Sequence, residues 1–351
     1  MKKEKKLTSE VFVKMAVKGC ACVAMLIGHS LEADAQYTPE VHGTLRGKYE
    51  YQTQEGEGRF EVRTARVSIT GKVADAVSYK AEIDLSDEGK IKMLDAYTQL
   101  TPFKGFDFTI GQMRVPFTID AHRSPHQQYF ANRSFIAKQV GNVRDVGATI
   151  GWKANVGFPI ILQAGLFNGS GLTDQKDYWT KSVNFSTKAQ LMFPHGFNVT
   201  LSAQKIKPSD YTVMMYDAGA YYHGHGWHVE AEYLYKHYAQ HSFDPVHAFD
   251  GFINYDIPLH RDNWLVKKIS PLMRYDYMGD HSDGATIDKT SGRLAVTDHK
   301  RSRITTGLTF SLAKPFISDI RVNFEKYFYD HDNLAKRSER DKIVVEVMTR
   351  F

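Results

Sequence analysis

Residues 113–144, MRVPFTIDAHRSPHQQYFANRSFIAKQVGNVR, hold the densest set of side chains in this chain that could do chemistry. Arg114, Arg123, Arg133, Lys138 and Arg144 stand against one acid, Asp120, with His122 and His126 beside them, a net charge of +4 when the histidines are neutral. Guanidinium and ammonium groups at this density can offer charge-assisted hydrogen bonds to an anion, most strongly where the site is narrow and dry. The same cations could instead pair with carboxylates on a neighbouring wall. Val115, Phe117, Tyr129, Phe130, Phe135 and Ile136 lie in the same stretch. A disordered linker does not need that much apolar surface, and it is enough to pack the segment against a wall.

Other chemistry finds less support. The run HGHGWH places His223, His225 and His228 close in sequence, but Gly224 and Gly226 mark a tight turn and the spacing fits no established ligand pattern. Turn decoration is the reading adopted, and no metal or cofactor is expected. No G-x-S-x-G nucleophile motif occurs, so no enzymatic activity and no catalytic residue is assigned.

The N-terminus supplies a compartment. Lys2, Lys3, Lys5, Lys6, Lys14 and Lys18 precede the apolar run GCACVAMLIG and the small-residue site Ala33-Asp34-Ala35, the layout of a cleavable secretory signal. Cleavage is expected between Ala35 and Gln36, leaving residues 36–351 as one domain. A lipoprotein signal at Cys20 or Cys22 is the weaker alternative, because Lys18 sits just upstream. Both cysteines lie in the signal, which excludes disulfides and cysteine-bound metals from the mature chain. With residues 1–35 removed, the net charge is +3, too small an excess for a nucleic-acid partner.

The elements that must position the charged stretch read as strands. Period-2 alternation recurs from Val41 to Phe351, broken by Gly, Pro, Asn, Asp and Ser. Segments are expected at 41–52, 60–73, 77–85, 92–100, 106–112, 145–153, 160–167, 183–193, 197–205, 212–223, 227–238, 247–257, 269–278, 301–312, 317–330 and 341–351. Each has one apolar face, with Tyr, Trp and Phe near strand ends. The facing assignment puts nearly equal numbers of basic and acidic residues on the other face, so the wall alone is no anion funnel. About sixteen strands of this length suit a membrane barrel better than a soluble sandwich. The final strand, DKIVVEVMTRF, would pair with the first, and its apolar face would meet lipid.

Several motifs carry a resemblance. Arg63-x-x-Arg66 on an early strand, Gly71-Lys72-Val73 read as a turn, Asp95-Ala96-Tyr97, Gly111-Gln112-Met113-Arg114-Val115-Pro116-Phe117, and Arg144-Asp145-Val146-Gly147 together resemble the phosphate-selective porins of bacterial outer membranes. The match is dense over 60–152 and rests on strand rhythm and Phe351 beyond. It implies an all-β transmembrane antiparallel barrel of 16 strands, trimeric, with a long third loop, here 113–144, folded into the lumen as a constriction. It also implies an outer-membrane location, passive diffusion of small hydrophilic or anionic solutes, and lipid and the barrel-assembly machinery as partners. Arg114, Arg123, Arg133 and Lys138 in the loop, with Arg63 and Arg66 on the wall, are the expected ion path, and Phe351 the assembly signal. Phosphate-selecting members carry an arginine ladder and a lysine cluster at the constriction, whereas this loop has Lys138 as its one lysine. A non-conducting barrel acting as an adhesin and a secreted soluble β-protein remain the alternatives.

Overall fold

The computed structural model describes residues 38–351 except 88–89, 141, 174, 261–263, 313–316 and 331–334; the expected signal, residues 1–35, lies outside the described residues. Each expected alternating segment forms a strand: β1 (Glu40–Gln52), β2 (Glu57–Ala74), β3 (Val77–Asp87), β4 (Lys90–Phe103), β5 (Phe106–Arg114), β6 (Arg144–Asn155), β7 (Pro159–Phe167), β8 (Asn184–Met192), β9 (Phe197–Ile206), β10 (Val213–Gly224), β11 (Trp227–Tyr238), β12 (Val246–Tyr255), β13 (Val266–Met278), β14 (Arg301–Leu312), β15 (Ile317–Tyr329) and β16 (Lys342–Arg350). The two-residue segment Ile257–Pro258 continues β12 along the same neighbour. Every neighbouring pair is antiparallel, and β1 pairs with both β2 and β16, which closes the barrel. Closure leaves no free edge, so backbone groups that would be stranded in hydrocarbon are paired strand to strand.

Alternation decides what each face meets. On β16, Ile343, Val345 and Val347 are exposed, whereas Val344, Glu346 and Met348 are fully buried. On β1, Val41, Leu45 and Tyr51 point outward, while Arg46, Lys48 and Glu50 are buried on the inner face. The outer face is therefore an apolar band and the inner face a charged wall. The hairpin from β10 to β11 shows why HGHGWH makes a turn: His225 and Gly226 have φ of 51° and 82°, the pair of positive angles a two-residue hairpin requires. His223 and His228 then face each other across the ladder.

Three details differ from the expectation. Met113 and Arg114 end β5 and Arg144 begins β6, so the connection expected at 113–144 spans 115–143. Gly71-Lys72-Val73 lies inside β2, and the chain reverses at residues 75–76 instead. β2 also carries a bulge: Thr64 pairs with Arg46 and Val62 with Gly47, leaving Arg63 as the extra residue. A bulge shifts the inward parity of a strand by one. Ahead of it Glu61 reaches the inner-face Lys48 at 3.2 Å, and past it Arg66 reaches Asp84 at 2.9 Å.

The wall charges pair with one another. Arg303 on β14 bonds Asp276 on β13 at 3.0 Å and Glu325 on β15 at 3.3 Å. Arg321 on β15 and Arg46 on β1 share Glu346 on β16, at 2.6 and 2.5 Å. Each of these pairs couples directly apposed or adjacent positions, so these buried guanidiniums meet carboxylates that desolvation would otherwise penalise, whereas the buried Lys188 and Lys236 donate to the carbonyls of Thr118 and Ser282.

Candidate functional site: the connection 115–143 and a basic cavity

The connection from β5 to β6 is held by its backbone and its aromatic side chains. Thr118 donates its N–H to Ser202 Oγ at 3.1 Å, and Lys188 Nζ donates to the Thr118 carbonyl. Ile119 N–H donates to Glu232. A short helix, α1 (Phe135–Gln139), is capped by Ser134, whose Oγ accepts from Ala137 N–H at 3.2 Å and donates to Asp120 Oδ2 at 2.9 Å. Both α1 and the single turn at Pro125–Gln127 fall where the sequence shows no strand period. Val115, Phe117, Phe135, Ile136 and Val140 form one buried cluster with inward residues of β7 and β9–β13, and Phe130 forms a second with Phe252 and Leu272. An apolar segment can sit on a charged wall because its rings lie over guanidiniums. Arg274 is 4.4 Å from the Phe130 centroid, and Arg301 and Arg303 are 4.5 and 4.8 Å from that of Phe135.

These contacts divide the expected ion-path residues. Arg123 makes a two-pronged pair with Glu230, one prong at 3.0 Å, and Lys138 pairs with Glu339 at 3.3 Å. Arg114 donates to the carbonyls of His122 and Arg123, at 2.8 and 2.9 Å. All three serve local structure. Arg133 donates to the carbonyls of Asp120 and Arg123 and reaches a cavity. Burial, and the nearby Arg46 and Arg66, push its guanidinium down to about 10 despite Asp120. Burial opposes the charge on Asp120 as well, but Arg133 and Arg123 hold its carboxyl at about 2.

That cavity, of about 800 Å³, lies between β1–β4 and the connection. Arg46, Arg59, Arg63, Arg66, Lys92 and Arg133 line it against two acids, Glu61 and Asp84. The structure thus brings Arg63, Arg66 and Arg133 together and leaves Arg114, Arg123 and Lys138 away from the lining. Arg66 is paired with Asp84 at 2.9 Å and Arg59 with Glu50 at 2.6 Å. Arg63 comes no closer than 3.9 Å to a carboxylate among the described residues, that of Glu61, and its side chain is 43% exposed. Arg133 is likewise no closer than 3.9 Å to its carboxylate, that of Asp120, and the bulge delivers Arg63 to the same cavity. Arg59 and Gln128 also line the site and went unnoticed in the sequence. Arg59 precedes the expected start of its strand, and nothing in the local pattern marks Gln128. Among the described residues no group of His, Cys, Asp or Glu is arranged to hold a metal.

Comparison with known proteins agrees with this architecture. A search of curated protein sequences finds no match. Among solved structures, the outer membrane channel DcaP of Acinetobacter baumannii superimposes with a TM-score of 0.62 at 13% identity, covering 92% of this chain and 99% of that one. An anion-selective porin from Comamonas acidovorans gives 0.58 at 12% identity, covering 90% and 99%. The trimer form of OmpT, an outer membrane protein of Vibrio cholerae, gives 0.59 at 10% identity, also covering 90% and 99%. At these identities the likeness concerns the fold. The family model for phosphate-selective porin O and P matches residues 36–244, more than half of the chain and all of the segment that builds the cavity and the connection, so the chain belongs to the phosphate-selective porin O and P family of outer-membrane channels.

Proposed function

We propose that the chain is a passive diffusion channel for small hydrophilic solutes that favours anions, with phosphate among them, and that the connection 115–143 folds into the lumen and narrows the path to the cavity along β1–β4. One observation carries the preference: six basic side chains against two acidic ones line the cavity, whereas elsewhere on the wall guanidiniums such as Arg303 and Arg321 sit against carboxylates. In a narrow, low-dielectric passage such an imbalance lowers the free energy of an anion and raises that of a cation. Arg63 and Arg133 are the principal donors, Arg66 contributes part of its charge, and Arg114, Arg123 and Lys138 hold the loop in place. The mature chain begins after Ala35, reaches the outer membrane through the barrel-assembly machinery and works as a homotrimer, an assembly for which the trimer form of OmpT is a precedent in fold. No cofactor and no chemical step is involved.

The test is reconstitution of the mature protein in a planar bilayer under a KCl gradient. The expected result is three-step closures, an anion-selective reversal potential, and conductance reduced by added phosphate. Weak selectivity indifferent to phosphate would leave a general channel, and silence would favour a non-conducting barrel.

A further inference from the structure

Below the basic cavity lies a second one, of about 260 Å³, lined by loop residues His126, Gln127 and Tyr129 and by inward side chains of β12–β15, among them Asp256, Lys268 and Arg321. Among the described residues, Gln128 alone lines both. It stands at one end of a hydrogen-bonded chain that separates them. Gln128 Oε1 accepts from Arg46 Nη1 at 2.6 Å, Arg46 clamps Glu346 Oε2 through Nε at 2.9 Å and Nη2 at 2.5 Å, and Arg321 Nη1 donates to Glu346 Oε1 at 2.6 Å. Arg46 faces the upper cavity and Arg321 the lower. Both guanidiniums are pinned by a fully buried carboxylate, so the side chain with least to hold it is Gln128.

The chemistry of this contact fixes the orientation of the amide. Arginine has only donors to offer, so the oxygen of Gln128 must face Arg46 and the NH₂ group must face the other way. Its nitrogen has no protein acceptor among the described residues. We infer that Gln128 is the specificity-determining residue at the junction of the two chambers, presenting an amide donor to an anion as it passes from the arginine-lined cavity to the lower one. The inference rests on the channel reading above. A solute that sheds water between the two chambers finds a neutral donor there, which replaces a hydration contact without holding the ion as tightly as a further charge would.

Gln128→Ala and Gln128→Glu, compared in planar bilayers with the wild type and with Gln139→Ala elsewhere in the loop, test this. Gln128→Ala is expected to raise single-channel conductance about 1.5-fold or more by opening the junction, while Gln128→Glu lowers chloride and phosphate passage by roughly the same factor through repulsion at a narrow site. Heat-modifiable migration on gels checks that each variant is folded, and Gln128→Asn, which keeps the amide, serves if Gln128→Ala is not. Wild-type conductance and reversal potential in both Gln128→Ala and Gln128→Glu overturn the inference. A weakly selective wild type whose conductance still responds to Gln128→Ala removes the anion preference and leaves the junction standing. A silent wild type overturns both.

Discussion

The ring of Phe351 lies directly over Gly43, so that a Cβ at Gly43 would collide with the ring edge. The two residues also exchange backbone hydrogen bonds, Gly43 N–H to the Phe351 carbonyl at 2.8 Å and Phe351 N–H to the Gly43 carbonyl at 3.1 Å. This contact ends the seam where β16 meets β1, the pairing that closes the barrel. The C-terminal aromatic therefore does two jobs, covering an otherwise bare stretch of backbone on the lipid face and completing the ladder.

From this contact, Gly43→Val and deletion of Phe351 should have the same consequence. Both should reduce the amount of heat-modifiable, folded barrel recovered from membranes, and both should leave unchanged the single-channel conductance of whatever assembles, since neither group faces the lumen. A changed conductance with normal yield would show that the seam shapes the passage as well as closing it.

Arg63 and Arg123 are expected to separate in function although the sequence put them on one path. Arg63→Ala removes a cavity guanidinium that has no close carboxylate partner and should lower low-salt anion conductance about twofold, with the difference shrinking as ionic strength rises. The folded barrel should be as stable as wild type, because no close ion pair is lost. Reversal potentials measured at low and high KCl decide it, and equal values for wild type and variant at low salt would count against Arg63.

Arg123→Ala should act through stability instead. Its partner Glu230 is buried on β11, and removing one member of a buried pair leaves an uncompensated charge at a cost of about 3–5 kcal/mol. The connection 115–143 should then undock, seen as faster proteolysis within it and noisier channels. Replacing both residues, Arg123→Met with Glu230→Leu, should recover much of the loss, because no lone charge remains. Failure of the double variant to recover would mean that the stacking of Arg123 on Tyr129 and Phe252, at 5.4 and 5.8 Å, matters more than the pair.

These contrasts mark where the sequence could be read and where it could not. Strands were legible because a barrel wall between lipid and a charged interior imposes a strict two-residue period, and that period survives wherever the ladder is regular. The bulge at Arg63 breaks the period by one residue, and no residue type announces it, so its role in bringing Arg63 and Arg66 to one cavity emerges only from the register with β1. The partners of Arg123 and Lys138 were hidden for another reason. Glu230 and Glu339 lie 107 and 201 positions away in the chain, one on the wall and one in the connection between β15 and β16, and only the docked loop decides which carboxylate each cation meets. The aromatic residues of the loop, by contrast, advertised a packed segment, and the rings do lie against the wall.

Acid should loosen that docking. Burial, followed by the neighbouring Arg350 and Arg114, lowers the His126 imidazole to about 4, and burial with Lys188 and Arg114 nearby puts His122 well below its ordinary value. An undocked imidazole takes up its proton near 6.5. Between that pH and about 4 the docked loop holds fewer protons than the undocked one, so its stability falls as pH falls, by up to about 1.4 kcal/mol per pH unit for each such proton, and is fully present above the higher value. Asp120, held at about 2 when docked against about 3.9 when undocked, acts in the same direction but only from about pH 5 downward. Hydrogen exchange of residues 115–143 in detergent-folded protein should therefore quicken from pH 7 to pH 4.5 after correction for intrinsic rates, and His126→Asn should flatten that dependence. Protection that rises on acidification would reverse the sign and show that protonated His126 finds a carboxylate, Glu82 being a nearby acid of the right charge.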